Sequence, residues 1–212
     1  MEKFMQVSKP ETEGWLGRHL YNQFDNYQLN EYKQAVNATD KRRIALDIGA
    51  NLGMMSARMV KDFEFVHAFE PVVAEHLKKN VDVDNIKIYD TAVGDKPGTV
   101  TMRVGMYHSG GSNIVLDSKR DINQTYTEVD VVTIDQYNFE NVDFIKIDVE
   151  GYEWFVLQGC KDTIDRNKPV ILMEVHNAKV QKYRNEIFKF MKDRGYKFKY
   201  VGELDCLFTL SQ

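Results

Sequence analysis

From residue 42 onward, short apolar runs end in polar, glycine-bearing turns and alternate with stretches of helical period. Ile44-Ala45-Leu46-Asp47-Ile48 reads as a buried strand, and Met54 to Asp62 as a helix. Phe65 to Phe69 is a second strand. Pro71 suits the first turn of a helix reaching about Val81, and Ile86 to Tyr89 is a third strand. This rhythm predicts a parallel sheet with right-handed crossovers. The middle of the chain departs from it. Thr99 to Val104 and Tyr126 to Val132 alternate polar and apolar residues, as half-exposed strands do. Between them lies a polar, glycine-containing loop over 105–125, of a length usually reserved for function or motion. The first rhythm then returns: strand Asp143–Asp148, helix Tyr152–Arg166, strand Pro169–Val175, helix Val180–Arg194. Tyr196–Val201 and Leu204–Leu210 flank Gly202-Glu203 as a hairpin, which gives the parallel sheet an antiparallel edge.

The first forty residues lack this pattern. Trp15, Leu16, His19 and Leu20 fit one helical face, and Leu29, Tyr32 and Val36 another. Residues 1–40 are therefore read as a helical lead-in packed on one domain at 41–212. A chain of 212 residues with 43% hydrophobic residues buries a core without a disulfide or metal staple. The net charge of −4 argues against a protein built to hold nucleic-acid phosphates. No apolar run approaches a membrane span, and the N-terminal residues lack the apolar core of a secretory signal. Cys160 and Cys206 lie far apart without CxxC spacing, so two reduced thiols in a cytoplasmic protein are expected.

The candidate chemistry begins at Asp47-Ile48-Gly49-Ala50-Asn51-Leu52-Gly53, a strand-to-helix turn where a doubly wound sheet binds its ligand. Gly49 and Gly53 let the backbone approach a ligand, and the loop and helix N–H groups suit an anion. A dinucleotide calls for G-x-G-x-x-G. This loop is one residue shorter, carries Asn51 in place of the middle glycine, and is led by Asp47, which repels a pyrophosphate. S-adenosylmethionine has no phosphate; its ammonium suits Asp47 and its carboxylate the loop N–H groups. Glu70 closes the second strand, 21 residues after Gly49, where a carboxylate accepts both ribose hydroxyls of an adenosine cofactor. The 89–95 loop would line the adenine in the same geometry.

Five segments in this order resemble the FkbM-type methyltransferases: Asp47-Ile-Gly-Ala-Asn-Leu-Gly, Phe69-Glu70-Pro71, Ala92-Val93-Gly94-Asp95, Ile145-Lys-Ile-Asp-Val-Glu-Gly-Tyr-Glu153 and Glu174-Val175-His176. The resemblance spans roughly 42–210, and the 145–153 segment is its most specific part. It implies a class I S-adenosylmethionine-dependent methyltransferase on an α/β, Rossmann-like, seven-stranded mostly parallel sheet with one antiparallel C-terminal strand and helices on both faces. It also implies methylation of a hydroxyl oxygen on a sugar, polyketide or other small or cell-surface molecule. The cofactor-binding set is then Asp47, Gly49, Asn51 and Gly53 on the first loop, Glu70 and Pro71 after the second strand, Ala92 and Val93 after the third, and Asp148.

Methyl transfer from a sulfonium is an in-line displacement that needs alignment, and an alcohol must also lose its proton. Asp148 ends the strand beside the first and faces the crevice. Glu150 and Glu153 follow it into a helix N-terminus, where capping competes with ligand contact. Lys146 shares the Asp148 face of the strand; it is read either as half of an ion pair with Asp47 or Glu174, or as a tuned lysine holding or deprotonating the acceptor. Glu174 and His176 share the next strand end, and His176 is the best-placed base among five histidines. The catalytic candidates are thus Asp148, His176, Lys146 and Glu174. Glu150, with His108, Ser109 and Ser112 of the long loop, is the candidate acceptor-binding set. A divalent cation on Asp148, Glu174 and His176 is not favoured, because no tightly spaced metal motif is present. The expected partner is a hydroxylated small molecule, with no nucleic acid and no membrane span. Two alternatives remain: an NAD-dependent oxidoreductase on the same sheet, and a non-catalytic S-adenosylmethionine-binding interaction domain.

Overall fold

The computed structural model describes residues 26–104, 112–115, 123–175 and 181–211. Helix α1 (Leu29–Asn37) leads into strand β1 (Ile44–Ile48), α2 (Ser56–Asp62), β2 (Phe65–Phe69), α3 (Ala74–Asn80) and β3 (Ile86–Tyr89). Strands β4 (Ala92–Val93), β5 (Gly98–Val104), β6 (Asn113–Ile114) and β7 (Thr125–Val132) follow. The chain closes with β8 (Val142–Ile147), α4 (Glu153–Gly159), α5 (Lys161–Asn167), β9 (Val170–Glu174), α6 (Arg184–Asp193), β10 (Tyr196–Tyr200) and β11 (Asp205–Leu210). Seven strands form the main sheet in the order β10-β11-β9-β8-β1-β2-β3, and only β11 runs antiparallel to its neighbours. The hairpin occurs as expected, but its antiparallel strand lies one place inside the edge, between β9 and β10.

Strand alternation divides the core into two layers. Leu46, Ile48, Ile145, Ile147, Ile171, Met173 and Phe208 pack against α4, α5 and α6. Ala45, Val66, Phe144, Leu172 and Leu207 pack against α1 and α2. On α1, Tyr32, Ala35 and Val36 turn inward, and the Tyr32 hydroxyl donates to Asp62 at 2.7 Å. The other lead-in face, Trp15 to Leu20, lies outside the described residues. On the α1 side the apolar layer ends in charge: Asp47, Lys146, Glu174 and Asp205 are all buried near the carboxyl ends of the parallel strands. Asp47 stands opposite Lys146, and Glu174 opposite Asp205.

The first helix of the alternating pattern starts two residues late, at Ser56, and three others depart further from their expected bounds. The second begins at Ala74 because the Glu70 carboxylate accepts from the N–H groups of Val72 and Val73 and holds 71–73 as a turn. The helix over 152–166 breaks at Cys160 into α4 and α5. The last begins as a 3₁₀ turn, Gln181–Tyr183, before α6.

The alternating middle strands do not extend the main sheet. They form a second sheet, β4-β7-β5-β6, with its own small core of Ala92, Met102, Val129 and Val131. It sits against α4 at a point where two glycines meet: a Cβ on Gly159 would overlap the carbonyl of Gly94. That overlap is with backbone, which no rotamer relieves. Gly159→Ala should therefore lower stability by about 1–3 kcal/mol, an overpacking cost. Gly98→Ala, where a Cβ meets nothing within 4 Å, is the matched control and should leave the melting temperature nearly unchanged.

Candidate active site

A cleft opens at the carboxyl ends of β1, β2 and β8. Gly49 (φ 80°), Asn51 (φ 51°) and Gly53 (φ 90°) give the β1–α2 loop its left-handed turns. The two glycines serve different neighbours. A Cβ on Gly49 would overlap the Asp148 carbonyl, so this loop must pass directly over the end of β8. A Cβ on Gly53 would press on Leu77 and Val81 of the α3 region, so Gly53 packs the helix rather than lining the cleft.

The loop N–H groups are already employed. Gly49 and Ala50 both donate to the Phe69 carbonyl, Asn51 to Glu70 Oε2 at 2.9 Å, and Gly53 to the Ala50 carbonyl. The sequence reading that this loop offers its N–H groups to a cofactor carboxylate is corrected accordingly, since those bonds lie within the protein. Glu70 is 7% exposed and accepts three backbone N–H bonds, from Asn51, Val72 and Val73. Burial raises its pKa against the pull of those bonds. Oε1 takes two of these bonds and Oε2 one, so the carboxylate is fixed in place and Oε2 keeps acceptor capacity for a hydroxyl proton. Two other cleft residues carry unpaired buried oxygens, Asn51 Oδ1 and Thr91 Oγ1. Buried polar atoms without partners are rare, and in the wall of a cleft they are open to a ligand's hydrogen bonds.

Pro71, Ala92 and Val93 line the cleft beside Glu70, while Ser112, Met102 and Ile114 of the second sheet line it as well. At the other end stand Lys146, Asp148, Val149 and Glu150. Asp47 does not line the cleft: it is fully buried and accepts from Ser56 Oγ at 2.5 Å, and burial raises its pKa. Its expected contact with a cofactor ammonium is replaced by a place behind the wall, next to Lys146.

Lys146 Nζ donates to Asp148 Oδ2 at 2.9 Å. Burial favours loss of its proton, but Asp148 and Asp47 more than offset that and hold its pKa above the usual lysine value. The direction of this shift favours the ion-pair reading of Lys146 over a lysine tuned to deprotonate an acceptor. The pair forms with Asp148, whereas the sequence pointed to Asp47 or Glu174. The carboxylates of Asp148, Glu150 and Glu174 bring ligand atoms within 4.8 Å of one another. Glu174 is behind the cleft lining, cross-strand from Asp205, whose pKa burial pushes up to about 6. His176, His108 and Ser109 lie outside the described residues.

Thr91 belongs to the 89–95 loop, which the sequence reads as a lining of the adenine, and Tyr27 to the lead-in aromatics, which it reads as a staple for the lead-in helix or an aromatic wall for a sugar face; both line the cleft. Glu153, read as either cap or ligand contact, is a staple: Oε1 accepts from the N–H groups of Val149 and Gly151, at 3.2 and 3.1 Å. It thereby fixes the turn that presents Asp148 and Glu150, where Glu150 itself is left-handed at φ 55°.

The fold and this cleft define an α/β domain of the class I methyltransferase type. Residues 47–198 match the Methyltransferase FkbM domain, and the chain belongs to that family, whose methyl donor is S-adenosylmethionine. No curated protein matches the sequence. Among solved structures, it is similar to the methyltransferase FkbM from Methylobacillus flagellatus KT, with 19% identity and a TM-score of 0.55 over 80% of this chain. The chain spans only 43% of that protein's length. It is also similar to SMU.1697c, a putative methyltransferase from Streptococcus mutans in complex with SAH, with 11% identity, a TM-score of 0.50, and coverage of 84% and 93% of the two chains. Among the described residues, no helix is long and apolar enough to cross a membrane.

Glu153 yields a pH prediction. Burial pushes its carboxyl from 4.5 up to about 7. The folded state holds the proton more tightly than the unfolded chain, so this contribution is complete below about 4.5 and is lost as pH rises through about 7. Glu153→Gln keeps an oxygen acceptor and removes the titration. Denaturant melts at pH 5 and pH 8 should show the native chain losing more stability than the variant, by on the order of 2–3 kcal/mol. His67, pushed down to about 4 by burial, acts in the opposite sense in both proteins and cancels.

Proposed function

We propose that this chain is an S-adenosylmethionine-dependent O-methyltransferase acting on a hydroxylated small molecule, with sugars first among the candidates, no nucleic-acid partner and no membrane span. The observation that carries the cofactor half is Glu70: a buried carboxylate, pinned at the end of β2 by three backbone N–H groups, with the unpaired oxygens of Asn51 and Thr91 in the same wall. Such a set suits the ribose and base edge of adenosine. A dinucleotide is a poorer fit. Four loop N–H groups are spent within the protein, and Lys146 is the only cation among the described lining residues, already committed to Asp148.

S-adenosylmethionine supplies, when bound, a methyl group activated by its sulfonium charge. Glu70 would hold the ribose, with Pro71, Ala92 and Val93 against the adenosine, and Gly49 allowing the loop to sit close beneath it. Asp148 stands at the far end of the cleft as the described carboxylate best placed to orient or receive the acceptor proton. Lys146 keeps Asp148 in position and compensates its charge. His176 remains the proposed alternative base, with Glu174 to orient it. Glu150 and Ser112, with His108 and Ser109, are proposed to contact the acceptor. The mechanism requires no divalent cation, although Asp148, Glu150 and Glu174 are spaced to accommodate one.

Calorimetric titration with S-adenosylmethionine, S-adenosylhomocysteine and NAD tests the cofactor. Binding of the two sulfur compounds is expected, and binding of NAD alone would overturn the reading. Glu70→Ala should weaken both by about 1–3 kcal/mol through unpaired ribose hydroxyls. A screen of glycosides and other polyols, scored by S-adenosylhomocysteine release, tests the acceptor. Methylation confined to nitrogen-bearing acceptors would reject the hydroxyl assignment.

A further inference from the structure

The amino-acid end of the methyl donor is a zwitterion and needs both acceptors and a donor. With Glu70 at the end of β2, that end lies toward β1 and β8, away from the adenosine wall. Carboxylates are plentiful there in Asp148 and Glu150, but donors are scarce. Gly49, Ala50, Asn51 and Gly53 have given their N–H groups to protein acceptors, and Leu52 does not line the cleft. Lys146 is already engaged with Asp148.

Tyr27 lines the cleft at this end, on the turn that precedes α1. Its ring is half-buried, and its hydroxyl has no hydrogen-bond partner among the described residues. Burial and the fields of Asp148, Asp205 and Glu150 raise its pKa despite Lys146, so the phenol keeps its proton and remains a donor. Its position is constrained from both sides. The Arg58 guanidinium donates to the Tyr27 carbonyl, and Gln28 takes a left-handed backbone (φ 47°) while its amide reaches Asp205 at 3.4 Å. A glutamine in that conformation persists where its surroundings impose it.

We propose that Tyr27 is a positioning residue for the amino-acid end of the methyl donor, its phenol donating to the donor's carboxylate beside the Lys146–Asp148 pair. The assignment rests on the function proposed above. It makes the segment before α1 a working wall of the cofactor site.

The test compares two nucleosides that differ in that end alone: S-adenosylhomocysteine carries it, and 5′-methylthioadenosine lacks it. Titrated calorimetrically against the native chain and Tyr27→Phe, the variant should bind S-adenosylhomocysteine about tenfold more weakly, the loss of one charge-assisted hydrogen bond, and 5′-methylthioadenosine equally well. Arg58→Ala, which frees the Tyr27 carbonyl without altering a lining side chain, should show the same selective loss. Unchanged S-adenosylhomocysteine affinity in Tyr27→Phe would overturn the assignment, as would an equal loss for both nucleosides, the mark of a merely structural role. If the native chain bound neither nucleoside, the proposed cofactor itself would fall and take this assignment with it.

Discussion

Lys146 is the residue on which the working end of this molecule depends. An ammonium on a buried strand is costly unless carboxylates surround it. Here Asp148 bonds it directly, and Asp47 stands opposite it on β1. Removing the cation would leave buried carboxylates facing one another without compensation, while removing the acids would strand a charge. The consequence reaches past the pair. Asp148 opens the turn that Glu153 staples, and the Asp148 carbonyl lies where the first loop passes at Gly49. The first loop and the Asp148–Glu150 end of the cleft are thereby tied to one ion pair.

The main sheet was legible because buried parallel strands are written as apolar runs, and β1, β2 and β3 fall where those runs do. The place of Glu70 in the cleft wall was legible from its spacing to Gly49, and the need of Lys146 for a partner followed from the cost of a lysine in a strand. Other features depend on partners distant in sequence. The place of β11 inside the sheet is set by its pairing with β9, which no local pattern encodes. Strands β4 and β6 are two residues each, too short to show a period, so the second sheet stayed hidden. The spent loop N–H groups depend on the Phe69 carbonyl and Glu70, one strand away. Tyr27 was ambiguous because it sits in a polar, aromatic lead-in, where a tyrosine serves as a staple as readily as a wall.

The cleft is also built to a large degree before any ligand arrives. Glu70 is held by backbone donors on both sides, so its carboxylate does not have to be ordered on binding. The same bonds shorten the following helix, which starts at Ala74 rather than at the proline. A short helix is the structural cost of a fixed carboxylate, and rigidity at that point lowers the entropy lost when a cofactor binds.

The position of β11 has a consequence for biosynthesis. β11 leaves the ribosome after β10 yet lies between β10 and β9, so β10 has no strand to pair with until its successor is made. Until then the nascent sheet ends at β9, with Leu172 lacking its strand neighbour Leu207 and Glu174 its cross-strand neighbour Asp205. The strands carrying Gly49, Glu70 and Asp148 are complete much earlier. Translation thus finishes the Glu70 half of the cleft well before it supplies Asp205 beside Glu174, and in that interval the sheet has an unpaired edge of the kind that invites wrong pairing.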